Sequence, residues 1–161
     1  MPGTHDREPE GGRRQMSADH MTTHACFTQV TPEPIVMDRL EAAVLTDEIG
    51  ALVTFVGRVR NHDHGRAVIS LEYEGHPSAE EVLDQLVTSI AARYPGTSIA
   101  AVHRVGRLTI GDAALGVVVA AAHRGEALAA CGALVEEIKA TLPIWKLQTF
   151  ADGTSEWVNC L

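Results

Sequence analysis

Two stretches of the chain repeat apolar residues at helical spacing. Val82, Leu83, Leu86, Val87 and Ile90 form one stripe after Pro77, and Tyr94-Pro95-Gly96 halts it. Ala127, Cys131, Leu134 and Ile138, with Leu128 and Val135 beside them, form a second over Gly125 to Leu142, where Pro143 ends the segment. A shorter helix is expected from Met37 to Leu45. Phe27 to Val30, Gly50 to Arg60, Ala67 to Tyr73 and Ser98 to Arg107 read as strands, and the apolar run Ala113 to Ala122 as a buried one. Asn61 to Arg66 is a loop, so the strands on either side of it are expected to pair as a hairpin with a longer connection. Trp145 to Phe150 and Glu156 to Val158 flank the turn dipeptide Asp152-Gly153. The predicted order is β-α-β-β-α-β-β-α-β-β, an α+β or mixed α/β arrangement and not a doubly wound sheet.

Composition narrows the class. A chain of 161 residues builds one domain with a real core. Aromatics make up only 4%, so Val, Leu, Ile and Ala must fill that core. Residues 1–26 are polar and without apolar period, and are expected to be a disordered tail before a domain over 27–161. Met1 to Gln15 lacks the apolar core of a secretory signal, and no run is long enough to span a bilayer. Cys26, Cys131 and Cys160 are odd in number and widely spaced, which fits a reducing cytoplasm better than a disulfide framework. A formal net charge of -8 disfavours nucleic acid and anionic lipid as partners.

Against that balance, cations gather in the last third. His123-Arg124 sits where a buried strand gives way to a helix, a corner suited to an anion. Lys139 falls in the last turn of the same helix, and Lys146 lies just beyond Pro143. If the chain folds back there, the two ammonium groups share one pocket; otherwise Lys139 complements the helix dipole and Lys146 is a surface strand residue. Arg58, Arg60 and Arg66 surround the 61–65 loop, and Arg58 and Arg60 share a face if the strand runs through them. His62 and His64 have no third ligand at metal-site spacing, so no metal is expected. Cys131 lies on the apolar stripe and reads as core. No P-loop, dinucleotide fingerprint or nucleophile elbow is present.

Several segments together resemble one family. Val53-Thr54-Phe55-Val56-Gly57-Arg58-Val59-Arg60-Asn61-His62, Leu71-Glu72-Tyr73-Glu74, His103-Arg104-Val105-Gly106-Arg107-Leu108, Gly111-Asp112, His123-Arg124 and Lys139…Pro143-Ile144-Trp145-Lys146 occur in the order and at the spacing of molybdopterin synthase catalytic (large) subunits. The resemblance covers about residues 28 to 158. It implies an α+β fold of the α/β-hammerhead type, a mixed sheet with two long helices and a small β subdomain. It also implies a homodimer within a heterotetramer. The implied activity is a cofactor-free sulfur transfer onto cyclic pyranopterin monophosphate, forming the dithiolene of molybdopterin. Sulfur would arrive as a thiocarboxylate on the C-terminal Gly-Gly of a small ubiquitin-like carrier subunit.

The resemblance assigns residues as well. Lys139 and Lys146 match the catalytic lysines, His123 and Arg124 a substrate-contacting pair, and Arg58, Val59 and Arg60 a second substrate-binding segment. The family often follows Trp-Lys with a basic residue and then Glu. Here Leu147 and Gln148 follow, which leaves room for backbone contacts at those positions but does not carry over a charged side-chain role. Both implied reactants are anions, and bringing them together needs fixed cations. Two other classes fit the same residues: a non-catalytic dimeric module that binds a phosphorylated metabolite or a carrier C-terminus, and a metal-dependent hydrolase using His62 and His64.

Overall fold

The computed structural model describes residues 26–159, so the predicted tail, apart from Cys26, and Cys160 lie outside the described residues. The elements are β1 (Cys26–Thr31), α1 (Met37–Val44), β2 (Ala51–Arg58), β3 (His62–Asp63), β4 (Arg66–Gly75) and α2 (Ala79–Arg93). They continue with β5 (Thr97–Arg104), β6 (Gly106–Leu108), β7 (Ala113–Ala121), α3 (Arg124–Thr141), β8 (Ile144–Phe150) and β9 (Ser155–Asn159). The class is α+β, with two sheets.

The first sheet runs β1-β5-β7-β2, with β1 and β5 parallel and the remaining pairs antiparallel. Helices cover both faces, so its central strands β5 and β7 are buried at every position but one end residue each. Ile99, Ala101, Val117 and Val119 pack with Leu83, Val87 and Ile90 of α2 and with Leu134 and Ile138 of α3. The alternate residues Ala100, Val102, Val118 and Ala120 pack with Leu40 and Val44 of α1. Each fully buried Leu, Ile or Val stabilises the fold by about 1.5–3 kcal/mol relative to exposure, as an upper estimate. The stripe on α3 differs from expectation at one place. Leu128 is 58% exposed, while Ala130 is fully buried. Positions 127, 130, 131, 134 and 138 keep the three- and four-residue spacing, and 128 falls on the flank.

The second sheet runs β3-β4-β8-β9, with β6 also paired to β4. This overturns the predicted hairpin of Gly50–Arg60 with Ala67–Tyr73. β2 pairs with β7, and β4 pairs with β8 in the other sheet. Burial is the reason: Ala51, Val53 and Phe55 of β2 pack into the α2–α3 core, to which β7 also brings Leu115, Val117 and Val119. The intervening loop instead makes its own small hairpin. β3 and β4 are joined through His64 (φ 46°) and Gly65 (φ 78°), a two-residue turn with both φ positive. The single strand predicted over Ser98–Arg107 is likewise two. The chain leaves the first sheet after Arg104, swings through Gly106 at φ 84°, and joins the second as β6. Pro77 and Ser78 form a turn, so α2 starts at Ala79.

Val59, Val68, Leu71, Leu108, Ala114 and Phe150 form the core of the second sheet. The Arg66 guanidinium lies 3.5 Å over the Phe150 ring and bonds Asp152 and Thr154, closing the predicted β8–β9 hairpin. Among the described residues, no helix is long and apolar enough to cross a membrane.

Candidate functional site

The cations converge where the two sheets meet. A cavity of about 310 Å³ is lined by Arg58, Arg60, Lys139 and Lys146, with Tyr73 and Gln148 among its other walls. Arg58 ends β2, just past a register shift at Gly57, and its Nη1 donates to the Gly111 carbonyl at 2.8 Å. Val59 is held from both sides: its N–H donates to the Asp112 carbonyl at 2.9 Å, and its carbonyl accepts from the Gly111 N–H at 2.8 Å. The Thr109–Asp112 turn, closed by the Asp112 N–H on the Thr109 carbonyl at 3.1 Å, therefore fixes the Arg58–Arg60 segment. The turn is itself braced by the Asp112 carboxylate, which accepts from the Thr109 N–H at 3.0 Å and meets Arg104 at 3.3 Å. Those contacts, the Thr109 bond first, hold the Asp112 carboxyl below the usual carboxylate range. Beyond the strand, Arg60 donates to Asp63 at 3.0 Å.

Lys139 stands in the last turn of α3, and Pro143 redirects the chain so that β8 returns beside β4, with Lys146 opposite Tyr73. Strand alternation then sends Lys146 and Gln148 to the cavity face and Trp145 and Leu147 to the other. The expected two-ammonium pocket is present. Neither lysine makes an ion pair with a described residue. Cations that share a cavity repel one another, and a bound anion relieves that repulsion.

A smaller recess of about 70 Å³ opens beside this cavity, sharing Arg58, Tyr73 and Lys139 with it and adding His103. His103 is only 6% exposed. Burial pushes its pKa down to about 4, against the opposing bond to the Arg104 carbonyl, and the Lys139 charge adds to the depression. The ring is therefore neutral near pH 7, and Nδ1, 2.8 Å from the Arg104 carbonyl, is the protonated nitrogen. Tyr73 meets the imidazole edge-on, with centroids 5.3 Å apart.

Of the residues singled out from sequence, Arg58, Val59, Arg60, Lys139, Lys146 and Gln148 meet at this cavity. Leu147 is on the opposite sheet face, and Arg66 is engaged at the β8–β9 hairpin. His62 lines the cavity with Nδ1 2.9 Å from Asn61, whereas the His64 side chain is 94% exposed. His123 and Arg124 do occupy a strand-to-helix corner, but they are exposed at the start of α3. Arg124 and Lys139 are fifteen positions apart on α3, roughly 22 Å along the axis. Sequence reasoning missed Asp63, Tyr73 and His103. Nothing in their local spacing marks them; Tyr73 and His103 fall within segments of the family resemblance, but only tertiary contact joins them.

The MoaE protein family profile matches residues 30–141. A molybdopterin synthase catalytic subunit from Bacillus subtilis is 37% identical over 132 residues, covering 81% of this chain and 83% of that protein. The crystal structure of molybdopterin synthase from Staphylococcus aureus superposes with a TM-score of 0.75 at 35% identity, covering 86% of this chain and 98% of that one. The chain belongs to the molybdopterin synthase catalytic subunit family. A Helicobacter pylori structure, a complex of subunits 1 and 2 of molybdopterin-converting factor, shares the fold at TM-score 0.63 and 21% identity, covering 82% and 88% of the two chains. Family membership makes the four-cation cavity the candidate catalytic site of such a subunit.

Proposed function

We propose that this chain is a sulfurtransferase of molybdenum cofactor biosynthesis. It converts cyclic pyranopterin monophosphate to molybdopterin, with sulfur delivered as a thiocarboxylate on the C-terminal Gly-Gly of a small carrier subunit. The observation that carries this reading is the unpaired Lys139 and Lys146 in one cavity with Arg58 and Arg60. Both reactants are anions, and fixed cations offset their repulsion without reorganising during the reaction. Arg58 and Arg60 hold the phosphate side, Lys139 lies by the carrier terminus, and Lys146 by the carbons that receive sulfur. The Bacillus subtilis relative and the two-subunit Helicobacter pylori complex support the catalytic role and the carrier partner.

His123 and Arg124 lie too far along α3 to serve their own chain's cavity. Their proposed substrate contact is made across a homodimer, with one copy's α3 start closing the other copy's site. Cys26 and Cys131 are free thiols, in keeping with a reducing cytoplasmic location.

The test is dithiolene formation from cyclic pyranopterin monophosphate with a thiocarboxylated carrier, for wild type beside Lys139→Ala. Product that depends on Lys139 is the expected result. Equal product from both proteins would remove Lys139 from the chemistry. A carrier that binds but yields no product with wild type would leave a binding module in place of an enzyme.

A further inference from the structure

Asp63 lies just outside the cavity, 9% exposed, and both of its oxygens are used. Oδ1 accepts from Arg60 Nη2 at 3.0 Å and Oδ2 accepts from Gln148 Nε2 at 2.7 Å. These two residues come from different segments, Arg60 from the end of the β2 connection and Gln148 from β8. A buried carboxylate from the β3–β4 hairpin thus ties two cavity walls together. The Gln148 bond, the Arg60 bond and the nearby Lys146 charge keep Asp63 ionised by holding its pKa below the usual range.

The consequence concerns Gln148. An ionised carboxylate only accepts, so Nε2 must face Asp63 and Oε1 becomes the remaining polar atom of a side chain that lines the cavity. Arginines and lysines present donors only. Gln148 Oε1 is an acceptor among them.

We propose that Asp63 is a positioning residue that fixes Arg60 for the anionic end of the substrate and orients Gln148 to present an acceptor to a ring N–H of the heterocycle. This inference rests on the reaction assigned above. Asp63→Asn is nearly isosteric but reverses the logic. The oxygen of the new carboxamide keeps Arg60, while its NH2 group faces Gln148 and forces that side chain to flip, which turns a donor to the substrate. Gln148→Glu alone sets two carboxylates against each other. The double swap Asp63→Asn with Gln148→Glu restores every bond: the carboxamide at position 63 donates to the carboxylate at position 148, whose second oxygen is again an acceptor at the cavity.

The experiment is steady-state kinetics of the assembled enzyme with carrier, together with thermal melts and side-chain amide ¹⁵N spectra. Asp63→Asn is expected to raise KM for the pterin monophosphate about tenfold, with a smaller change in kcat and little change in Tm. The double swap is expected to recover KM to within about threefold of wild type. A wild-type KM in Asp63→Asn, or a raised KM that the double swap leaves uncorrected, overturns the proposal. The spectra separate this result from failure of the assigned reaction. The Gln148 amide resonance should move on Asp63→Asn even if wild type makes no product, and an unmoved resonance overturns the proposal whatever the turnover.

Discussion

The two ends of α3 both carry cations, and the fold treats them differently. At the C-terminal end, Lys139 is joined by Lys146, Arg58 and Arg60 in one cavity, backed by the neutral His103. At the N-terminal end, His123 and Arg124 stand exposed, without an ion pair to any described residue. The difference lies in the chain that adjoins each end. Pro143 returns β8 across the C-terminal end, whereas at the N-terminal end β7 runs into the helix and leaves His123 and Arg124 exposed. One end gathers a cavity within a single chain, and the other is, on the proposed reading, completed by a second copy.

The sharpest way to break this comparison is to remove a cation from each end. Lys139→Ala or Lys146→Ala should lower the rate of dithiolene formation by about 10²–10³. A variant within a few-fold of wild type would dissolve the contrast. Stability tests the middle of the same helix. Leu134→Ala, at a fully buried position, should cost about 2–5 kcal/mol in urea unfolding, whereas Leu128→Ala, 58% exposed, should stay within about 0.5 kcal/mol. Equal costs would mean that the two faces of α3 are wrongly assigned.

His103 gives a pH test of the C-terminal end. Its folded pKa is about 4, below the ordinary 6.5. The unfolded chain takes up a proton as pH falls through about 6.5, and the folded chain does so only near 4. Its contribution is therefore complete above the unfolded pKa and lost as pH falls towards 4, by about 3 kcal/mol at most. His103→Asn should flatten the stability slope between pH 6.5 and 4, and an unchanged slope would mean another group sets it. The mildest test concerns the N-terminal end. Arg124→Ala and Lys139→Ala proteins, each impaired, should on mixing and subunit exchange regain about a quarter of wild-type activity, because half of random dimers are mixed and each of those keeps one intact site. No recovery, with exchange shown by mass, would mean that Arg124 does not serve the partner copy's site.

Much of this is legible in the residues alone. α2 and α3 are readable because each buries a stripe at the helical period, and Lys139 with Lys146 because a proline separates a helix end from a strand. The partners of β2 are not, since neighbours in sequence suggest a hairpin with β4 while burial of Val53 and Phe55 requires β7. β3, at two residues, is too short to show a period. Leu128 misleads because α3 is rich in small residues, which blur the edge of its apolar face. Asp63 gives no signal at all. Its role depends on Gln148, 85 residues away in sequence, and no local pattern encodes that meeting.

The return at Pro143 also limits how the chain tolerates insertions and deletions. Lys146 reaches the cavity because it is an even step along β8 from Ile144, whose side chain is fully buried. One residue added between Pro143 and Ile144, with the pairing to β4 unchanged, would shift that parity, bringing Trp145 into the cavity and sending Lys146 to the far face. Two added residues would restore the parity. Length variation in this short connector is therefore constrained by counting modulo two, a tighter limit than the tolerance of most surface loops.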